Sequence, residues 1–304
     1  MITLSVSYLV TIVKHGYPPS FKGMERGFRE IAAWGFHHIE LEGIGPAHSE
    51  IMRKRAAALR QTLGDLGLRC HNFCAVDANL THPDPRRRRA AMRTVHNACE
   101  AANLVGAETL HLASYPPHVR YPNGLPYQVG RKYRYTQTSA VQIPKDYSFD
   151  RDWKTLVGSC REIADLAATH GRIVLMEPRV GEMIASSDSM LRLLEHVGRP
   201  NLKANFDTAH FAKQREVIPI ALEKLRGRYG NFHVADHDGQ TLDHLPCGRG
   251  IIDWRGFLTG LKRHGYSGYL GIDTSRAATA KSDVLASADF LMRLGHELGL
   301  NLRK

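Results

Sequence analysis

The sequence lacks any apolar run long enough to cross a bilayer. Its 304 residues are 43% hydrophobic and 23% charged, an ordinary composition for a globular protein, and no segment approaches the roughly 20 apolar residues of a transmembrane helix. The first ten residues carry no basic segment and no small-residue cleavage site, so they predict a strand and not a signal peptide. We therefore expect a cytoplasmic protein without a membrane partner.

Cysteine is also scarce, and its usage argues against a disulfide scaffold. The five cysteines are an odd number, form no Cys-x-x-Cys pair and lie mostly within apolar patterns. This usage is typical of reduced thiols in a cytosol. We expect cysteine to have no part in the chemistry.

Positive charge is what the chain has in excess. Lys and Arg number 41 against 30 Asp and Glu, a net charge of +11, and such a balance can attract nucleic acid or a phosphorylated substrate. The basic clusters nevertheless fit solvated helix faces. Arg86–Arg89 follow Pro85 at a predicted helix start, and Arg53–Arg55 lie on the polar side of another predicted helix. Nucleic acid is therefore not the expected partner.

A repeating unit organises the chain: an amphipathic helix, a glycine near its C-terminus, a short apolar strand and a polar residue. Glycine tolerates the left-handed conformation that ends a helix, so its position in the unit has a mechanical cause. Counting the apolar N-terminus, the pattern predicts eight strands. They are Ile2–Leu9, His38–Leu41, Arg69–Phe73, Glu108–Leu112, Ile173–Glu177, Leu202–Asp207, Asn231–Ala235 and Tyr269–Asp273.

Strands that alternate with helices pair in parallel through right-handed crossovers. Eight such units predict an α/β protein with a closed (β/α)8 TIM barrel, and we expect residues 1–304 to form one domain. A doubly wound open sheet is the alternative. It would more naturally carry a glycine-rich turn after the first strand, and Ser7–Val10 offers none.

Four helices have recognisable limits in the sequence. One is predicted from Ser49 to Leu66, and the last from Ala277 to Leu298. Ser187 and Asp188 predict an N-cap before a third, and Asp253 predicts the N-cap of a helix at 254–264.

One segment interrupts the repeat. Residues 114–152 contain five prolines, many tyrosines and the basic run Arg131–Tyr135, with little periodicity. This composition predicts a long loop after strand four that acts as a lid, a substrate-binding loop or an interface to a second copy or a partner subunit. A disordered insert is the alternative, and the aromatic content argues against it.

Four strands close on a carboxylate or an imidazole: Glu177, Asp207, His233 and Asp273. Because strand C-termini meet on one face of a barrel, these side chains should converge there. Three carboxylates and an imidazole suit a divalent ion such as Mn, Mg or Co. Zinc also fits if more histidines join. The ion would act next to a carbonyl group, lowering the pKa of a neighbouring C–H.

Further polar residues are expected on the same face, where they would contact substrate; they are His71, His111, Arg179, His210 and Asp236. Each alone would more often be structural. Glu40 also ends a predicted strand and could orient a ligand through a hydrogen bond. Asp238, Asp243 and His244 crowd the loop after strand seven, where some could simply form turns.

Taken in order along the chain, these motifs resemble those of the xylose isomerase-like TIM barrels. The segments that carry the resemblance are Glu177-Pro178, Asp207-Thr-Ala-His210, His233-Val-Ala-Asp236, 246–254 and 268–273. Residues 79–85 are also similar to the family's third strand-to-helix loop. That superfamily holds sugar isomerases and epimerases, inosose dehydratases and the endonuclease IV type of DNA-repair enzyme. The resemblance implies an enzyme of carbohydrate metabolism.

By this resemblance, Glu177, Asp207, His233 and Asp273 would be the metal ligands. Glu177 and Asp273 would also move protons on opposite faces of a ketose, and His210 would contact the substrate. The epimerases usually have glutamate where this chain has Asp273. Because aspartate is one methylene shorter, a one-base isomerisation or an elimination is easier to support than a two-base epimerisation.

The leading hypothesis is a metal-dependent isomerase, epimerase or lyase that removes a proton beside the carbonyl of a sugar, cyclitol or glycoside derivative. The tyrosine-rich loop favours a substrate bulkier than a bare hexose, such as a glycoside or aryl conjugate. The alternative is an abasic-site endonuclease with extra histidine ligands, although Asp243-His244 does not reproduce that branch's Asp-x-His spacing. A metal-free barrel that serves only as a binding subunit is the third reading, and fold alone does not decide it.

Overall fold

In a computed structural model, which describes residues 1–126, 140–241 and 243–304, eight parallel strands form a closed barrel. Each strand pairs with the next in sequence, and the ring closes where the first strand pairs with the eighth as well as with the second. A short ninth strand pairs with the start of the first. The strands are β1 Ile2–Val6, β2 His38–Ile44, β3 Arg69–Val76, β4 Thr109–Ala113, β5 Ile173–Glu177, β6 Leu202–Asp207, β7 Tyr229–Val234, β8 Tyr269–Ile272 and β9 Leu302–Arg303.

Helices surround the barrel, and their apolar faces pack on the strands. Two short 3-10 helices lie at Ala78–Thr81 and Ala277–Thr279. The α-helices of the described residues are α1 Tyr8–His15, α2 Phe21–Ala33, α3 Gly45–Lys54, α4 Ala56–Asp65, α5 Pro85–Val105, α6 Phe149–Ala168, α7 Ser187–Val197, α8 Thr208–Lys213, α9 Ile218–Lys224, α10 Trp254–Arg263 and α11 Ala280–Glu297.

The parallel eight-stranded barrel is confirmed, and the errors lie at element ends. Strand β1 stops at Val6, because Ser7 is the N-cap of α1, so the predicted strand was too long by three residues. The helix predicted over 49–66 is two helices that break at Arg55. The N-cap of α7 is Ser186, one residue before the predicted pair. Asp253 caps α10 as predicted.

The loop after β4 is shorter than predicted. Ser148 caps α6, so residues 149–152 are helical and the loop ends at 148. Arg120 and Gln142 form an antiparallel bridge that joins its two described parts. The basic run Arg131–Tyr135 lies outside the described residues. Whether the loop is a lid or an interface stays a prediction.

All five cysteines are buried free thiols. Within the described ranges, no helix combines the length and the apolarity needed to span a membrane.

Candidate metal centre

A small polar pocket of about 60 Å³ lies where the barrel strands end. Strands β2, β4, β5 and β7, and the segments that follow β5, β6, β7 and β8, contribute its charged walls. The acidic and basic groups that line it are Glu40, Glu42, His111, Glu177, Arg179, His210, His233, His244 and Asp273. Several carboxylates buried this close together are costly unless cations or hydrogen bonds compensate their negative charges.

Asp207 supplies the clearest sign that the site suits a cation. As the last residue of β6 it is also the N-cap of α8, and its Oδ1 accepts from the His210 backbone N–H at 2.8 Å. Its Oδ2 is buried and has no hydrogen-bond partner among the described residues. Burial raises the pKa of Asp207 to about 6, and the negative charges of Glu177 and Asp273 add to this shift. A buried carboxylate oxygen without a partner is costly unless a cation binds it.

His233 on β7 points one ring nitrogen towards the same place. Its Nε2 lies 2.8 Å from Glu40 Oε2, the orienting contact expected of Glu40. Its Nδ1 lies 2.7 Å from Glu177 Oε1 and 3.9 Å from Asp207 Oδ2. Although burial opposes it, the carboxylates of Glu40, Glu177 and Asp273 raise the pKa of His233 well above its usual value. Glu40 thus engages Nε2, and Nδ1 is the ring nitrogen that would be offered to a metal ion.

Glu177 closes β5 and is held by a buried amide network. Asn205 Nδ2 donates to Glu177 Oε1 at 2.7 Å, and Asn231 Nδ2 donates to Asn205 Oδ1 at 2.9 Å and to Glu40 Oε1 at 3.1 Å. Burial alone would raise the pKa of Glu177, but His233 and His111 hold it well below the usual range. The network therefore fixes an ionised carboxylate beside His233.

These three residues fit a divalent ion. The ligand atoms of Glu177, Asp207 and His233 lie within 4.8 Å of one another. Among the described residues, two other triads meet the same criterion: Glu40, His111 and His233, and Asp207, His210 and His244. We favour the triad of Glu177, Asp207 and His233 over the Glu40 triad because it includes Asp207 and leaves the Glu40 contact to His233 intact. We favour it over the triad of Asp207, His210 and His244 because it offers two carboxylates, and because His244 Nδ1 is already held by Asp273. Two carboxylates and one imidazole suit Mn, Mg or Co, and also Zn.

Asp273, the fourth ligand expected from the resemblance, lines the pocket but lies outside all three triads. Ser7 Oγ donates to its Oδ1, and His244 Nδ1 lies 2.7 Å from its Oδ2. The shorter aspartate side chain therefore has both oxygens engaged at the edge of the site. This placement gives Asp273 a hydrogen-bonded histidine, with which it could exchange a proton.

The other residues expected to contact substrate divide into two groups. His111, Arg179 and His210 line the pocket. Burial lowers the pKa of His111 to about 4, so its ring is neutral, and its Nε2 has no hydrogen-bond partner among the described residues. Arg179 Nε donates to Glu182 at 2.9 Å and lies 4.0 Å from Glu177 Oε2.

His71 and Asp236 do not line this pocket. His71 is the third residue of β3, not its end, and it stacks on Tyr269 at 4.0 Å in a cavity at the opposite end of the barrel. The carboxylate of Asp236 accepts from four N–H groups that fold the following loop. Their donors are the backbone nitrogens of His237, Gly248 and Ile252 and the indole nitrogen of Trp254.

Sequence reasoning passed over several pocket residues, of which Glu42 is the most notable. It lies two residues after Glu40 on β2, and period-two alternation places both side chains on the inner face of the barrel. Ser7, Tyr17 and Cys74 also line the pocket. The alternation was a usable signal for Glu42, whereas no spacing in the sequence marks Ser7 as a partner of Asp273.

Glu42 gives the metal-free protein a predicted pH dependence. Burial raises its pKa to about 8; Arg179 opposes this shift, and Asp273, Glu40 and Glu177 add to it. Below the usual pKa of 4.5, Glu42 is protonated in both the folded and the unfolded protein and costs no stability. As the pH rises from there to about 8, Glu42 ionises more readily in the unfolded protein, so the free energy of unfolding falls. Glu42→Gln should therefore gain roughly 2–3 kcal/mol of unfolding free energy over wild type between about pH 6 and about pH 9.

Urea unfolding of chelator-treated protein at the two pH values measures this difference. Glu195→Gln, at an exposed position on α7, is the matched control and should track wild type. If Glu42→Gln also tracks wild type, Glu42 is already ionised at the lower pH and its raised pKa is refuted.

Two curated relatives are similar to this chain over part of its length. The chain is 23% identical over 159 residues to inosose dehydratase of Yersinia enterocolitica, covering 46% of this chain and 53% of the relative. It is 23% identical over 124 residues to fructoselysine 3-epimerase of Escherichia coli O157:H7, covering 40% and 45%. The chain therefore spans about half the length of these two relatives.

The fold is similar to that of D-allulose 3-epimerase from Methylomonas sp. The two structures share 17% sequence identity with a TM-score of 0.71, over 96% of this chain and 97% of the other. A likeness at this identity concerns the fold alone. A family model described as xylose isomerase-like TIM barrel matches residues 28–294. Because that match covers most of the chain, the protein belongs to the xylose isomerase-like TIM barrel family.

Proposed function

We propose that this protein is a divalent-metal-dependent enzyme that removes a proton next to the carbonyl of a keto-sugar, cyclitol or glycoside derivative. Isomerisation, epimerisation or β-elimination would follow from the same first step. The similarity to a dehydratase and to an epimerase supports a carbohydrate substrate and an enzymatic role. The proposal treats residues 1–304 as one barrel domain with its site at the strand C-termini.

One observation carries the proposal. The buried Asp207 Oδ2 has no hydrogen-bond partner among the described residues, and Glu177 and His233 offer metal-ligand atoms close to it from the two neighbouring strands. A divalent ion held by Glu177, Asp207 and His233 would polarise a substrate carbonyl and so acidify the adjacent C–H.

The protein's own groups would then handle the proton. Glu177 is ionised, and its Oε2 is not used by the Asn205 and His233 contacts, so it is the candidate base on the β5 side. The neutral His111 can donate to or accept from a substrate hydroxyl. Asp273 and His244 form the candidate proton carrier on the β8 side. Since β5 and β8 are three strands apart in the ring, these groups approach a bound sugar from different sides.

Which outcome follows depends on Asp273. A two-base epimerisation needs a second base that reaches the substrate, and the Asp273 oxygens are held by Ser7 and His244. One-base isomerisation or elimination needs only the Glu177 side. We therefore propose that reprotonation by a single base, or loss of a β-oxygen substituent, is the main reaction.

Solvent deuterium incorporation tests the proposal. Ketoses and keto-glycosides incubated with the Mn-loaded protein in D2O should gain deuterium at the carbon beside the carbonyl, as seen by NMR and mass spectrometry. Chelator-treated protein should show none until Mn is added back. Cleavage of duplex DNA at abasic sites without any sugar exchange would contradict the proposal.

A further inference from the structure

A larger cavity adjoins the metal pocket. Its volume is about 630 Å³, against about 60 Å³ for the metal pocket. Tyr17, Val76 and Arg179 line both, so the two spaces are neighbours. We call the larger one the outer compartment. Because ligand sites for small molecules usually measure about 300–1,000 Å³, the metal pocket can take only the reacting atoms, and the rest of a substrate must extend outwards.

The walls of the outer compartment are mainly apolar. The apolar residues that line it lie at the ends of β2 and β3, in α3 and α5, and in the loop after β4. They are Ile44, Pro46, Val76, Ala90, Pro116 and Leu125. Tyrosine rings are available as well, since Tyr17 and Tyr115 both line it. Flat rings and proline faces favour a planar ligand over a branched one.

The acidic groups in these walls are already engaged. Asp77 accepts from the Asn79 backbone at 3.0 Å and from Thr94 Oγ1 at 2.9 Å. Glu182 accepts from the Ser114 and Tyr115 backbone nitrogens at 3.1 and 2.8 Å, and also from Arg179. These carboxylates therefore shape the compartment and leave little negative charge for a ligand to meet, while Arg87 adds a positive group to its wall.

Tyr115 lines the outer compartment beside Arg179, which lines both spaces. Its backbone φ is 60°, a conformation that is strained for a tyrosine, and the hydrogen bond from its backbone N–H to Glu182 helps to hold it there. Its side chain is only 7% exposed, and its hydroxyl has no hydrogen-bond partner among the described residues. The Arg179 guanidinium lies 5.6 Å from the ring centre. Burial raises the pKa of Tyr115 well above its usual value, so the hydroxyl remains a donor.

We propose that the outer compartment binds a planar aromatic substituent carried by the sugar substrate, and that the Tyr115 hydroxyl donates to an oxygen of that substrate. This inference rests on the proposed function, since it takes the reacting carbons of the sugar to lie in the metal pocket. The residues that the two cavities share, the aromatic and proline walls and the Tyr115 hydroxyl, which has no partner among the described residues and lies on a ring beside Arg179, are independent observations that favour the same ligand.

Binding of phenyl and methyl β-D-glucopyranoside, measured by calorimetry with Mn-loaded protein, tests the compartment without turnover. Wild type should bind the phenyl glucoside at least about 10-fold more tightly, because an aromatic contact adds to simple burial. Ala90→Phe, which places a ring in the compartment from α5, should reduce this preference to less than about threefold. The matched control Ala57→Phe, at an exposed position on α4, should keep it.

Tyr115→Phe separates a ligand contact from a structural role. Loss of the hydroxyl should weaken binding of both glucosides by about 3- to 10-fold. Thermal stability should stay equal or rise, because the variant removes a buried hydroxyl that has no hydrogen-bond partner among the described residues. A fall in the thermal midpoint with unchanged binding would assign the hydroxyl to the fold and overturn its role.

The results also distinguish this inference from the proposed function. Equal or absent binding of the two glucosides, or equal binding of a cyclohexyl analogue, overturns the aromatic compartment. Deuterium exchange into the 3-keto derivatives of both glucosides with no phenyl preference leaves the enzyme assignment standing and overturns the compartment. A phenyl preference that Ala90→Phe removes, without deuterium exchange in either derivative, supports the compartment while the proposed chemistry fails.

Discussion

Asp207→Asn is expected to remove metal binding and turnover while leaving the barrel folded. The amide retains the oxygen that accepts from the His210 backbone and caps α8, so the helix keeps its start. The negative charge that would hold the ion is lost. His233→Ala should have the same effect, because it removes the nitrogen that faces Glu177 and Asp207. Each variant should lose more than about 100-fold in activity. This loss is larger than the one expected from removing a residue that only hydrogen-bonds to a metal ligand.

Metal content and deuterium exchange, measured on the same preparations, check this result. The matched controls are Asp289→Asn and His96→Ala, both at exposed helical positions, and both should retain wild-type values. Far-UV circular dichroism should be native for all four proteins. Full turnover by Asp207→Asn or His233→Ala, at wild-type metal content, would refute the ligand assignment.

Asp236→Ala is expected to be the most destabilising single change in the loop after β7, with little direct effect on the reaction itself. Its carboxylate accepts from the backbone of His237, Gly248 and Ile252 and from the Trp254 indole, and the residue is fully buried. Each donor left without an acceptor costs about 1–3 kcal/mol, so the variant should lose roughly 4 kcal/mol or more. Urea unfolding measures the loss.

Asp238→Ala provides the matched control two residues away. Asp238 accepts from the Gln240 and Thr241 backbone in an exposed turn, where water can replace it, so this variant should lose about 1 kcal/mol or less. An Asp236→Ala protein with wild-type stability and a raised KM would instead make Asp236 a substrate contact.

The repeating units of the sequence were enough to predict the barrel, because each glycine-punctuated helix and apolar strand is a local pattern. Element ends were less predictable. The apolar run from Ile2 continues through Ser7 into α1, and an apolar run alone does not distinguish a strand from a buried helix. The break at Arg55 has no proline or glycine to mark it.

The site shows the same division between local and long-range information. The acids and the histidine that close β5, β6 and β7 were visible because each stands at the end of an apolar run. The partners of Asp273 were not, since Ser7 is 266 residues distant in sequence. His71 was misplaced because β3 extends to Val76, which puts the histidine near the opposite end of the barrel. The four N–H donors to Asp236 could not be foreseen, because hydrogen bonds from backbone N–H groups leave no trace in a sequence.

Anomalous diffraction from crystals grown with MnCl2 tests the central claim most directly. The account predicts one strong peak bound by Glu177, Asp207 Oδ2 and His233 Nδ1, at distances of about 2.0–2.3 Å. Absence of a peak, or a peak bound by His210 and His244 without Glu177, would contradict it.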